Sequence, residues 1–209
     1  MRPQRAAIRF RRAFRSFVNL TLQLRSYFHR VIHGFSPNSA IICIRLYAWP
    51  HRLWDFRKQY QWNGLSGGGG VGYNLPASLG AALANKKHGR FTVAFGGDGD
   101  FMYNPGTLWT AAHHKIPILY IVHNNRAYHQ EYMYLTAMAV RHGRGVDRMD
   151  IGTTLIEPNI DYATVARGMG VQGEGPITDP NDLGPALARA IAVVKSGEPA
   201  VVDVVTDPR

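Results

Sequence analysis

The chain has 209 residues, 45% of them apolar, with one cysteine and a formal net charge of +10. That length allows one α/β domain plus an appendage, with enough apolar material for a full core. The lone Cys43 excludes an intrachain disulfide and a cysteine zinc cage, which fits a reducing compartment and a cytoplasmic location.

The charge is not spread evenly. Residues 1–58 hold twelve Lys/Arg and a single acid, Asp55, whereas residues 59–209 hold twelve Lys/Arg and thirteen acids, a net of −1. The basicity therefore belongs to a leader and the remainder is a near-neutral domain. Residues 1–57 are expected to be a basic, poorly structured leader, and 58–209 a single folded domain. Arg2, Arg5, Arg9, Arg11, Arg12 and Arg15 alternate raggedly with Ile8, Phe10, Phe14 and Phe17. Three readings of this stretch stand open: an organellar presequence, an arm for nucleic acid or anionic surfaces, and a segment with no part in the chemistry. Pro37, Asn38 and Trp49-Pro50 interrupt any sustained period and favour the last. The change of composition near residue 55 is also what a truncated or misassigned start would give. Apolar runs such as AIICI fall far short of the ~20 residues that cross a bilayer. The Arg-rich start also lacks the apolar region and cleavage site of a signal peptide, so no membrane partner is expected.

From about residue 59 the pattern is orderly. GLSGGGGVGYN is a glycine-rich loop. LPASLGAALANKK predicts a helix, with Leu75, Leu79, Ala82 and Leu83 at helical spacing, Pro76 in the first turn and lysines at the end. FTVAF predicts a buried strand, TLWTAAHH a helix, and IPILYIV a second buried strand that starts at Pro117. RAYHQEYMYLTAMAV predicts a helix, followed by the loop GRGVDRMDIG. NIDYATVARGMG predicts a helix closed by Gly170, and VQGEG a short strand. DPNDLGPALARAIAVVKSG is a capped helix and PAVVDVV a final strand. Strands apolar on both faces, alternating with helices, predict an α/β fold: a mostly parallel sheet covered by helices on both sides.

Two strand ends are unusually polar. Asp98 follows FTVAF, bracketed by Gly97 and Gly99, and Asn124-Asn125 follow IPILYIVH. In open parallel sheets, ligands collect beyond the carboxyl ends of the strands. If the two strands are neighbours, a carboxylate, a carboxamide oxygen and a backbone carbonyl converge. That hard oxygen set suits Mg²⁺, which takes its remaining ligands from water and phosphate. The flanking glycines let phosphate oxygens approach the backbone, and the N–H groups after Asp98 can point at them.

Other readings carry less. GxGxxG occurs at Gly67, Gly69 and Gly72, but QYQWNGLS is a poor preceding strand for a dinucleotide site. DGDFMYN has Met102 and Tyr103 where a calcium loop needs a ligand and a glycine. His113, His114, His123 and His129 lack zinc spacing, and the H-x-E at 129–131 lacks the P-C-x-x-C of a zinc deaminase. Lys86-Lys87-His88 reads as a solvated turn.

GDG, twenty-four residues and then NN resembles the cofactor signature of the thiamine diphosphate-dependent enzymes, in particular the acetolactate synthase, benzoylformate decarboxylase and pyruvate decarboxylase group. GGGGVGYNLPASLGAALA resembles the loop and helix ahead of that signature, and NIDYATVARGMGV, LGPALARAI and EPAVVDVVTDP resemble the rest of the same domain. The resemblance covers about residues 55–209. It implies thiamine diphosphate and Mg²⁺ as cofactors, with Asp98, Asn125 and the Ala127 carbonyl as metal ligands. Gly97, Gly99, Asp100 and Tyr128 are implied at the diphosphate. Val71 is implied as the aliphatic wedge that bends the cofactor, where the group usually has Met, Leu or Ile, and Gly69 as an acceptor from the 4′-amino group. Glu131 matches a glutamate of the pyruvate decarboxylase branch, which tilts the chemistry toward decarboxylation of a 2-oxo acid, and it reads equally as a solvated helix residue; His129 is the histidine expected to face a pocket, and the two are the catalytic candidates. The resemblance also implies a missing pyrimidine-binding domain, supplied by a homo-oligomer or a partner chain. Two other classes stay open: a non-catalytic remnant of the fold, and a nucleic-acid or anionic-surface binder acting through the leader.

Overall fold

A computed structural model describes residues 40–43, 56–64 and 70–206, the first of these by backbone alone. The expectations for residues 1–39 and for Gly67 and Gly69 lie outside the described residues.

The sheet has six parallel strands in the order β2-β1-β3-β4-β6-β5. In chain order these are β1 Ala40–Cys43, β2 Trp62–Asn63, β3 Thr92–Gly97, β4 Leu119–Asn124, β5 Gln172–Ile177 and β6 Ala200–Val205. The helices are α1 Asn74–Lys86, α2 Asp98–Tyr103, α3 Gly106–His113, α4 His129–Arg141, α5 Tyr162–Gly168 and α6 Pro180–Lys195. Helices follow strands from β3 onward, as the apolar runs predict.

Both faces of the central strands are buried, and successive residues alternate between two cores. Val93, Phe95, Leu119, Ile121, Val202 and Val204 pack against Leu183, Leu187, Ile191 and Val194 of α6. Ala94, Tyr120, Val122 and Val201 face the other way, onto Leu75 and Leu79 of α1, Phe101 of α2, Leu108 of α3 and Tyr162 of α5. This period of two with apolar residues on either side is the physical basis of the parallel sheet. α6 carries its own start signal, because the Asp179 carboxylate accepts from the Asn181 N–H at 2.8 Å with Pro180 next in line.

Three details differ from the sequence expectation. β1 lies inside the segment read as a poorly structured leader, pairing with β3 from Ala40–Thr92 to Cys43–Phe95. The apolar run AIIC was masked by its basic surroundings, so the sheet begins before the 57/58 boundary. Leu83, placed on the buried face of α1, is exposed, since Leu75, Leu79 and Ala82 already fill the stripe that meets the sheet. α2 was not anticipated as a helix. Its six residues are too few to show a period, and its only deeply buried side chain besides Asp98 is Phe101.

Candidate functional site

The carboxyl ends of β3 and β4 are neighbours. Their ladder runs from Val93–Leu119 to Gly97–His123, so Asp98 and Asn124 are the next pair beyond it. Asp98 opens α2 and is 1% exposed. Its Oδ1 accepts from the Gly99 N–H at 2.9 Å, while its Oδ2 is buried with no hydrogen-bond partner in the protein. Burial pushes the carboxyl up to about 6, and the N–H groups of Gly99, Arg126 and Ala127 offset part of that rise. The carboxylate therefore faces the turn that follows β4.

The two asparagines divide their work. Asn124 points inward, and its Nδ2 donates to Asp203 Oδ1 at 3.0 Å. Asn125 is half-buried, and its Oδ1 accepts from the Ala127 N–H at 3.2 Å. Ala127 is thus adjacent to both the Asp98 carboxylate and the Asn125 amide. The chain turns back at Arg126, whose φ of 59° is left-handed. It is then held by the Leu155 N–H on the Arg126 carbonyl at 2.7 Å and the Tyr128 N–H on the Thr153 carbonyl at 2.8 Å. These two bonds flank Ala127 and leave its own carbonyl outside the bridge.

Sequence reasoning missed the support behind this turn. Asp203 on β6 is fully buried, accepting from Asn124 through Oδ1 and from the Tyr162 N–H through Oδ2 at 3.1 Å. Burial raises its carboxyl to about 6 against these two donors. The Tyr162 hydroxyl is buried and unpartnered, and burial followed by the charges of Asp98 and Asp203 raises it well above its ordinary value. An acid inside the otherwise apolar run PAVVDVV was the available signal.

The glycines behave differently from one another. A Cβ on Gly97 would meet nothing within 4 Å, so backbone there is open to a ligand. The space a Cβ on Gly99 would take is filled by the Tyr128 ring, so this glycine admits an aromatic neighbour rather than leaving an open face. Tyr128 also meets Tyr103 edge-on at 6.4 Å. Burial raises its hydroxyl, followed by the neighbouring Tyr103, Asp98, Glu131 and Asp100. The side chain of Asp100 is committed elsewhere: Oδ1 accepts from the Gly72 N–H at 2.6 Å and Oδ2 from the Asn74 N–H at 3.2 Å. Val71 is half-buried in the turn before α1.

Glu131 is exposed in the first turn of α4, and His129 is half-buried and stacked on Tyr132 at 6.0 Å. His113 and His114 are exposed. Among the described residues no group of three or more His, Cys, Asp or Glu could hold a metal ion, and no helix is long and apolar enough to cross a membrane.

The donor set fits a hard divalent cation. A buried carboxylate oxygen lacks a partner, the Ala127 N–H neighbours both that carboxylate and the Asn125 amide oxygen, and the Gly97 backbone is open.

Comparison with known proteins agrees with the fold. Residues 45–204 match the family described as thiamine pyrophosphate enzyme, C-terminal TPP binding domain. The chain is 30% identical to benzoylformate decarboxylase of Pseudomonas aeruginosa over 138 residues, 66% of this chain and 23% of that protein. It is 35% identical to the acetolactate synthase isozyme 1 large subunit of Escherichia coli over 79 residues, 38% of this chain and 14% of that one. The solved thiamine diphosphate-dependent 4-hydroxybenzoylformate decarboxylase of Rhodococcus jostii superposes with a TM-score of 0.63 at 25% identity, covering 90% of this chain and 32% of that one. The benzoylformate decarboxylase of Polynucleobacter necessarius superposes with a TM-score of 0.64 at 20% identity over the same shares, a likeness of fold. The chain therefore spans less than a third of the length of these relatives.

Proposed function

Because this chain belongs to the thiamine pyrophosphate enzymes, carrying their C-terminal TPP binding domain, we propose that it is the diphosphate- and Mg²⁺-binding part of a 2-oxo acid decarboxylase or acetolactate synthase-like carboligase. The observation that carries this reading is the orphaned Oδ2 of Asp98. A buried carboxylate oxygen without a partner is costly, and a divalent cation supplies the missing charge and ligand.

In this reading Asp98 Oδ2, Asn125 Oδ1 and the Ala127 carbonyl hold Mg²⁺. Gly97 offers open backbone to the diphosphate, with the Gly99 and Asp100 amides nearby and Tyr128 over the turn. Val71 supports the cofactor from the α1 side, and Gly69 accepts from its amino group. Thiamine diphosphate, when bound, supplies the carbanion stabilisation by which a 2-oxo acid loses CO₂. His129 and Glu131, at the start of α4, are the groups placed to handle protons at the rim of the site.

We further propose that the site is completed across an interface. α4 buries only Ala139 and exposes Met133, Tyr134, Leu135 and Val140 around much of its circumference, exposed apolar surface of the kind that marks an association site. A pyrimidine-binding domain, from a partner chain or within a homo-oligomer, is the occupant this reading requires. The cofactor domain is taken to include residues 40–57 as well as 58–209, which leaves the basic leader at 1–39.

The test is CO₂ release from a panel of 2-oxo acids with thiamine diphosphate and Mg²⁺, from the chain alone and with a pyrimidine-binding domain added in trans. Release that needs the added domain supports the reading. No release in any arrangement favours the non-catalytic remnant. Salt-sensitive binding of DNA by the leader favours the third class.

A further inference from the structure

One short helix grips Gly72 from both sides. The Gly72 N–H donates to Asp100 Oδ1 at 2.6 Å, and its carbonyl accepts from Asn104 Nδ2 at 2.9 Å. Gly72 has a φ of 89°, and a Cβ there would lie 2.7 Å from the Tyr103 Cβ, so the turn packs directly on α2. Asp100 Oδ2 takes the Asn74 N–H, and Asn74 in turn donates through Nδ2 to the Phe95 carbonyl of β3 at 2.7 Å. The N-cap residue of α1, Tyr73, makes no side-chain cap bond. Asp100 therefore serves as that cap from another segment, where the helix dipole also favours a carboxylate.

The arrangement also suits a neighbouring anion. Asp100 lies two residues from Asp98, beside the place proposed for a diphosphate, where a free carboxylate would repel the ligand. Directing both oxygens at the Gly72 and Asn74 amides removes them from that face.

We infer that Asp100, together with Asn104, is a positioning residue that fixes the Val71–Gly72 turn relative to the Asp98 turn. This rests on the cofactor reading and deepens it. The metal-bearing and wedge-bearing turns share α2 as a common scaffold, so the height of Val71 beneath the cofactor ring is set by the Asp100 and Asn104 bonds. The role acts through the Asp100 side chain on the ring end of the ligand, while the residue's backbone amide, beside the proposed diphosphate, is common to every Asp100 variant.

The full chain is titrated with Mg²⁺ plus thiamine diphosphate and, separately, Mg²⁺ plus inorganic diphosphate, as wild type, Asp100→Ala, Asp100→Asn and Asn104→Asp. Backbone amide exchange is read on the same proteins without ligand. In Asp100→Ala the Gly72 and Asn74 amides should exchange about tenfold faster, with β3 and β4 amides unchanged. Thiamine diphosphate affinity should fall about tenfold, and by clearly more than inorganic diphosphate affinity. Asp100→Asn, which keeps one acceptor, should fall between. Unchanged exchange at Gly72 and Asn74, or equal weakening of both ligands, overturns the positioning role. A wild type that binds both ligands while no variant differs removes this role and leaves the cofactor reading standing. A wild type that binds neither removes both. Should Asp100→Ala lose strand protection, Asp100→Asn and Asn104→Asp decide by the same two readouts.

Discussion

Asn124 Nδ2 donates to Asp203 Oδ1 at 3.0 Å across neighbouring strands, both side chains buried. This bond separates the two adjacent asparagines: the first ties β4 to β6, and the second is left at the strand end beside Asp98. Asn124→Ala should therefore cost about 1–3 kcal/mol of stability without any ligand, because it strands a buried carboxylate oxygen. Asn125→Ala should change ligand-free stability by no more than about 0.5 kcal/mol and weaken Mg²⁺-dependent binding. Urea unfolding of both variants checks the division. Equal destabilisation would contradict it.

The two buried carboxyls give the protein a pH signature. Asp98 and Asp203 are each raised from 3.8 to about 6, chiefly by burial. Between these values the native state holds protons that the unfolded state has released. Without metal, stability from these groups is full below about pH 4 and falls as pH rises to about 6, by a few kcal/mol in total. The Asp98→Asn/Asp203→Asn double variant should lose that component, seen as a flatter plot of urea midpoint against pH than wild type gives. Metal binding needs the ionised Asp98, so Mg²⁺ affinity should rise with pH through about 6 and level off above it. A wild-type plot with the same slope as the double variant would remove this account.

Neighbouring glycines should answer differently to alanine. A Cβ on Gly96 would overlap the Tyr120 hydroxyl and the Asn74 amide, in a tightly packed core. Gly96→Ala is expected to cost about 1–3 kcal/mol or more, read by thermal unfolding. At Gly97 the added methyl meets nothing within the chain. Gly97→Ala should leave ligand-free unfolding almost unchanged and reduce diphosphate binding, by occupying the face the ligand uses. Undiminished diphosphate binding by this variant would move the ligand away from Gly97.

Much of the fold was legible because the signals were long and redundant. FTVAF, IPILYIV and PAVVDVV are short and apolar on both faces, as strands of a covered parallel sheet are, and Asp179-Pro180 announces α6. The polar strand ends stood out because they interrupt those runs. What could not be read depends on partners distant in sequence. Asp203 meets Asn124 across 79 positions, and Asp100 meets Gly72 across 28. Nothing local to Asp100 says that its oxygens turn to α1 rather than to a ligand. β1 was hidden for the opposite reason, since a four-residue strand inside a basic segment is outweighed by the composition around it.

The ends of β3 and β4 are proposed to hold one divalent cation together, with a carboxylate from Asp98 and a carboxamide from Asn125. Calorimetric titration with Mg²⁺ and thiamine diphosphate, on wild type, Asp98→Ala and Asn125→Ala, tests it most directly. Wild type should give a saturable heat that both substitutions abolish or weaken by about tenfold or more. Equal heats from all three proteins, or none from wild type, would contradict it.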